Sequence, residues 1–319
     1  MESPRARDRR RARPSRTRPL LHVALAVLTV TGATAAGTVY VKDHAHSGTG
    51  AVSSSATASA STSAAADGEE PVESVTRAAV DHDALLTAAM KAVPVEDGAE
   101  VSVAALDLDS GASAAFGDGA FDTASIVKVD ILAALLLQAQ DAGRRLTASE
   151  RTYATAMIEN SDNDSASALW RIIGRAGGLD AANARLGLTD TEGGDGTLWG
   201  LTQTTATDQL ALLRQVFGQD SELSEASRTY LQGLMGQIAA DQRWGVSAAA
   251  DGGRWALKNG WLARSTTGLW DVNSIGRVTV DGRGCLVAVL SNGNPTKEKG
   301  ISLVEAAAKA AVSALADGA

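Results

Sequence analysis

The chain has 319 residues, 45% hydrophobic and 21% charged, room for one large globular domain with appendages or for two modest domains. Its formal charge of −8 is unevenly spread: residues 1–18 set eight arginines against Glu2 and Asp8, a local +6, so the remainder carries −14. So acidic a remainder argues against nucleic acid as a partner, and the sole cysteine, Cys285, excludes intrachain disulfides and Cys-based metal sites.

From Pro19 to Val41 the chain carries no formal charge, between Arg18 and Lys42. As a helix such a run spans roughly 34 Å, enough for a bilayer core. The arginines before it would hold residues 1–18 on the cytoplasmic side. The reading favoured is an uncleaved signal-anchor over 19–41. The alternative is a secretory signal cleaved after Ala33-Thr34-Ala35. Residues 42–76 are rich in Ser, Ala and Thr with almost no large apolar side chain, so burial cannot offset their ordering entropy. About 30 such residues form a tether with a reach on the order of 30 Å. The domain that follows, 77–319, is therefore expected outside the cytoplasm, tethered to the membrane and monomeric.

V-D-H-D-A-L-L-T-A-A-M-K-A-V, from Val80, reads as an amphipathic helix. V-S-V-A-A-L-D-L and A-S-A-A-F-G read as two strands around a turn at Asp109 to Gly111. A helix from about Ser125 to Ala142 follows, and its I-L-A-A-L-L-L must be buried. Further helices run to about Ala250. Strands are then expected at about 254–261, 268–279 and 284–291, the last two joined at Asp281-Gly282, and an Ala-rich helix closes the chain over about 298–316. Strands at both ends with helices between them imply an α+β fold: an antiparallel sheet built from both termini, flanked by helices, with an all-helical subdomain. Cys285, in C-L-V-A-V-L, reads as a buried strand residue.

Of the four histidines only His82 falls in the globular part, and no metal-ligand spacing appears. Neither a metal nor any other cofactor is expected. A serine enzyme built on this chain would need a base other than histidine. Of the seven lysines, Lys128 alone has a serine three residues upstream, Ser125. At i and i+3 on a helix the two share a face, as an activated serine with a lysine partner requires. Alone, the pair is better explained as a surface Ser and Lys. Downstream lies M-I-E-N-S-D-N-D, with Ser161, Asp162 and Asn163, and then W-A-L-K-N-G-W, with Lys258, Asn259, Gly260 and Trp261 on a predicted strand. Ser161 and Asn163 would equally suit the cap of the helix that follows.

S-x-x-K, then S-D-N, then K-[TS]-G is the motif order of class A β-lactamases and related penicillin-binding peptidases. Over roughly residues 77–317 the chain resembles these serine hydrolases in both motifs and element order. The resemblance implies Ser125 as the nucleophile, Lys128 as the base or part of its relay, and Ser161 as the proton donor to the leaving nitrogen. Lys258 would support Ser161 and attract the substrate carboxylate. Asn163 would hold the substrate amide, Asn259 would help recognise the carboxylate, and Gly260 would let the strand approach the ligand. The Ser125 and Trp261 amides would form the oxyanion hole. Asp162 would tie its loop together.

Three features depart from the family pattern. Asn259 stands where the family has Thr or Ser. The span from Ser125 to Ser161 is short. The family's E-x-x-L-N loop, whose Glu activates the deacylating water, is missing from T-E-G-G-D-G-T-L-W-G-L-T-Q-T-T-A-T-D. Glu192 is the only glutamate there, with Asp190 and Asp195 nearby, and a solvated loop carboxylate is its default reading. The resemblance therefore implies acylation by β-lactams with slow deacylation. A D-Ala-D-Ala carboxypeptidase acting on peptidoglycan and a non-catalytic β-lactam or cell-wall-binding protein remain as alternatives.

Overall fold

The structure is a computed structural model, and it describes residues 80–316. The arginine-rich segment, the apolar run and the tether lie outside the described residues. Among the described residues no helix is long and apolar enough to cross a membrane.

The chain opens with α1 (His82–Met90), capped by Asp81, then β1 (Glu100–Asp107) and β2 (Ser113–Phe116). A two-residue strand β3 (Phe121–Asp122) leads into a 3-10 turn, Ala124–Ile126, and helix α2 (Val127–Asp141). Helices α3 (Ala148–Glu159), α4 (Asn163–Ile173) and α5 (Arg175–Leu186) follow. A loop returns through β4 (Gln203–Thr204), which pairs with β3, to α6 (Ala206–Phe217) and α7 (Glu225–Met235). The chain closes with β5 (Trp255–Ala263), β6 (Trp270–Val280), β7 (Arg283–Asn294) and α8 (Lys297–Ala316).

The large sheet runs β2-β1-β7-β6-β5, antiparallel throughout, so strands from both ends of the chain meet where β1 pairs with β7. β7 is buried on both faces, as a central strand should be. Its residues alternate between two cores. Cys285, Val287 and Val289 face α1 and α8; Leu286, Ala288 and Leu290 face the helical subdomain. The β6–β7 turn uses Asp281 and Gly282, both at positive φ (50° and 80°), as a type I′ hairpin requires. Cys285 is buried, and burial pushes its thiol up to about 11. His82 bonds the Ala314 carbonyl at 2.9 Å, tying α1 to α8, which is a structural role.

Helix α2 is the axis of the helical subdomain. From Val127 to Leu137 every side chain is buried, the pattern of a helix enclosed on all sides. Ser125 precedes it on the 3-10 turn, where a fully helical start at this serine was expected. The physical reason is Ala124, held in the left-handed region at φ 47°, which no α-helix accommodates. Placing an alanine there costs about 1–2 kcal/mol. The turn aims Ser125 out of the helix end towards β5.

Candidate active site

Three elements converge on Ser125. The first is the 3-10 turn and the start of α2. The second is the α3–α4 junction, where Ser161 sits at φ 55°, another non-glycine residue in the left-handed region. Asp162 caps α4 by accepting from Ser165 N at 2.7 Å, and hydrogen bonding from the Ser165 side chain, then from its backbone, holds the carboxyl below the usual range. The cap therefore belongs to Asp162, as its expected loop-tying role implied, and Ser161 and Asn163 are left free to turn inward. The third element is β5, the edge strand of the sheet.

Lys128 is the hub. Its Nζ reaches Ser125 Oγ at 2.9 Å, Ser161 Oγ at 3.0 Å, the Ser161 carbonyl at 2.7 Å and Asn163 Oδ1 at 2.8 Å. Lys258 Nζ approaches the same Ser161 Oγ at 3.1 Å and the Asn259 carbonyl at 2.9 Å. Ser161 thus bridges two lysine side chains, both fully buried. Burial brings Lys128 down to about 7, against an opposing pull from the Asp162 charge. Lys258 is driven well below its ordinary value, chiefly by burial and then by the neighbouring charge of Lys128. Near neutrality the Lys128 amine can therefore accept the Ser125 proton. Among the described residues no carboxylate hydrogen-bonds to either lysine.

Gly260 explains how β5 comes so close. A Cβ there would lie 2.7 Å from Ser125 N, 2.7 Å from Thr123 O and 2.9 Å from Ile126 N, so only glycine lets the strand rest on the serine turn. Across the ladder from Gly260, Asn273 donates to the Asp122 and Thr123 carbonyls at 2.9 and 3.1 Å, which ties the segment entering the turn to β6. Asn273 carries no local motif, and sequence reasoning missed it.

One expectation changes and another holds. Asn259 is buried, and its amide donates to the Gln242 and Trp244 carbonyls at 2.7 and 2.9 Å. Both of its hydrogens are spent, so it has no donor left for a substrate carboxylate; it holds the 242–244 loop instead. Glu192 bridges Gln203 through its backbone and is exposed, lining a separate cavity of about 730 Å³ with Asp118 and Asp190. Its default reading as a loop carboxylate stands. What covers Lys128 is Trp199, whose ring centroid is 4.9 Å from Lys128 Nζ and whose indole N–H donates to Ser167 Oγ at 3.1 Å. Trp199, Leu198 and Leu201 form one wall of a cleft of about 390 Å³ whose lining also includes Ser125, Asn163 and Trp261. Trp261 packs on Trp244 at 5.8 Å, and Lys297 Nζ lies 3.9 Å from the Trp261 ring centroid. Among the described residues no cluster of potential metal ligands occurs.

A serine whose hydroxyl faces a low-pKa lysine, with a second serine shared between two lysines, on this α+β frame, defines a serine hydrolase of the β-lactamase and penicillin-binding type. The chain belongs to the beta-lactamase enzyme family, whose sequence profile matches residues 137–315, more than half of its length. No curated protein matches it in sequence. Among solved structures it is similar to a beta lactamase from Xanthomonas campestris, at 21% identity over 72% of this chain and 95% of that one, TM-score 0.57. It is also similar to a PBP-A mutant solved as an acyl-enzyme complex with penicillin G, at 22% identity over 73% and 97%, TM-score 0.63. A third is the TLA-1 extended-spectrum beta-lactamase, at 17% identity over 73% and 98%, TM-score 0.63. At these identities the likeness establishes the fold.

Proposed function

We propose that this chain is a class A-type serine β-lactamase that acylates rapidly and deacylates slowly. The observation that carries the reading is the Ser125–Lys128–Ser161–Lys258 chain of contacts at 2.9, 3.0 and 3.1 Å around a lysine brought down to about 7. In the proposed reaction Lys128, as the neutral amine, takes the Ser125 proton while Oγ attacks the lactam carbonyl. The proton then passes from Lys128 to Ser161 and on to the leaving nitrogen, with Lys258 stabilising the transient charge on Ser161. Backbone N–H groups of Ser125 and Trp261 receive the oxyanion. This role for Trp261 is supported by the Lys258 bond to the Asn259 carbonyl, which lies on the free edge of β5 two residues earlier. Asn163 holds the substrate amide.

Hydrolysis of the acyl-enzyme needs a second base for water, and general-base help is worth about 10²–10⁴ in rate. Trp199 stands over Lys128, and Glu192 faces another cavity. That observation favours a second reading, a D-alanyl-D-alanine peptidase inhibited by β-lactams. We further propose that the domain acts outside the cytoplasm, on the support of the charge-free run at 19–41. Incubation with a fluorescent penicillin and a chromogenic cephalosporin tests the proposal. A stable adduct mapped to Ser125 with slow cephalosporin turnover is expected. Rapid turnover would overturn the slow-deacylation claim, and the absence of any adduct would overturn the catalytic one.

A further inference from the structure

The face of β5 that meets the serine turn carries Lys258, Gly260, Leu262 and, one residue past the strand's end, Arg264, in the alternation a strand imposes. Lys258 reaches Ser161, Gly260 rests on the Ser125 turn, and Leu262 lines the cleft. The Arg264 guanidinium pairs with Asp122 Oδ2 on β3, and its Nε lies 3.5 Å from Asp271 Oδ2 on β6. Both carboxylates are buried while the arginine side chain is 40% exposed, so the cation closes a rim over two acids that water does not reach.

Neither acid has a substitute for this arginine. Asp271 Oδ2 makes no hydrogen bond, and among the described residues no other cation pairs with Asp122 or Asp271. Burial pushes the Asp271 carboxyl up to about 6, Arg264 pulls against that push, and the charge of Asp122 adds to it, as two acids sharing one cation require. An exposed ion pair holds little, but a buried carboxylate that loses its cation is left with its desolvation uncompensated.

Both ends of this clasp are fixed to backbone. Asp122 pairs with Gln203 across the β3–β4 ladder and accepts from the Gln203 side chain, and its carbonyl accepts from Asn273 Nδ2 at 2.9 Å. Arg264 N donates to the Leu269 carbonyl and Gly268 N to the Arg264 carbonyl, each at 2.8 Å, so the β5–β6 turn holds the arginine. Asp271 lies opposite Leu262 on the β5–β6 ladder. Asp122 stands three residues before Ser125 and Arg264 three residues after Trp261, at most about 11 Å of chain in each case. Ser125 and Trp261 are the residues whose N–H groups would receive the oxyanion. β3 pairs with β4 and β5 with β6, so no ladder joins the two segments that carry them. The Gly260 contact limits how near those segments come, and the Arg264 pairs limit how far apart they move.

We propose that Arg264 is a positioning residue for acylation: by clasping Asp122 and Asp271 it sets the separation of the Ser125 and Trp261 N–H groups, and with it the strength of the oxyanion hole. This role rests on the acylation and the oxyanion hole proposed above. Arg264 touches none of the reacting atoms; it acts through the two backbones it joins.

The test compares the full chain with Arg264→Gln, Arg264→Lys and Asp122→Asn. Stopped-flow acylation by a fluorescent penicillin should slow by about 10² in Arg264→Gln, the loss that follows a misplacement of about 1 Å. Arg264→Lys keeps the charge but not the fork that reaches two carboxylates, and should recover about tenfold of that loss. Arg264→Gln combined with Asp122→Asn should be no slower than the slower single variant, because both changes break one link. The infrared band of the acyl-enzyme carbonyl separates positioning from stability. A slackened hole hydrogen-bonds that carbonyl more weakly, so the band should move to higher wavenumber in Arg264→Gln and back towards the wild-type position in Arg264→Lys. An unmoved band with acylation within about threefold of wild type overturns the proposal, whatever the melting temperature does. Rate losses that multiply in the double variant overturn it as well. Should Arg264→Gln fail to fold, Arg264→Lys and Asp122→Asn supply the same rate and infrared readouts. Should the wild type itself form no adduct, the catalytic reading fails, and amide exchange then decides the clasp. Faster exchange across 121–126 and 261–264 together in Arg264→Gln or Arg264→Lys supports it, and unchanged exchange in both segments overturns it.

Discussion

Replacing Gly260 with alanine tests whether the approach of β5 to the serine turn creates the catalytic geometry. The added methyl would stand 2.7 Å from Ser125 N and from Thr123 O, and 2.9 Å from Ile126 N. Ordinary contacts of this kind are about 0.6 Å longer, and all three atoms are backbone, so no side chain can swing aside. Either β5 or the turn must retreat by roughly that amount. The turn is already strained at Ala124 and is held by the Asn273 bonds to Asp122 and Thr123, so the edge strand is the element that yields. Overpacking of this sort costs about 1–3 kcal/mol of stability, or a few degrees of melting temperature in a domain of this size.

The functional loss should be far larger than the loss of stability. Moving β5 separates the Ser125 and Trp261 amides, and losing one oxyanion donor is worth about 10²–10³ in rate. Stopped-flow acylation of Gly260→Ala by a fluorescent penicillin, at a temperature where calorimetry shows it folded, should be slower by about that factor. Acylation within about tenfold of wild type would refute the assignment of the hole to this strand.

Lys128 must be neutral to act as the base, so acylation should rise about tenfold per pH unit below its value of about 7 and level off above it, read from the pH dependence of the acylation rate. The same depressed value means the native state binds fewer protons than the unfolded chain between about 7 and 10, so this group makes stability rise with pH in that window. Lys258→Met should leave stability unchanged or higher, because a fully buried amine that burial disfavours as a cation is replaced by an apolar side chain of similar length. It should also slow acylation by about 10² and leave the acid limb in place, since burial and the Asp162 charge set the Lys128 value. Asn259→Leu strips the donors from the Gln242 and Trp244 carbonyls, costing about 2–3 kcal/mol in denaturant unfolding. It should leave the concentration dependence of acylation unchanged, since Asn259 has no hydrogen to offer the substrate.

What could be read from the sequence follows the range of the forces involved. Element order and the sheet drawn from both termini follow from periodicity, and Ser125, Lys128, Ser161, Asn163 and Lys258 meet because each lies in a short motif whose local geometry aims it. Their convergence on one ammonium group is set by the left-handed backbone at Ala124 and Ser161, which neither residue type announces. β3 and β4 escaped notice because two residues hold no period. Asn259 was assigned to the substrate because a strand position was read without the distant carbonyls of Gln242 and Trp244 that claim its amide.

The loop follows the same rule. Its sequence revealed only that a glutamate was missing. The fold adds what occupies the place beside Lys128: an indole anchored to Ser167 on α4, in a loop held by Trp170 through the Gly196 carbonyl at 2.9 Å and by Asp180 through Gly193 N at 2.8 Å. An aromatic wall excludes water from the lysine, and so favours the neutral amine that acylation needs, while contributing no group to activate the water that deacylation needs. Under the proposed mechanism the wall that withholds the second step helps the first, and a long-lived acyl-enzyme is the expected consequence of both.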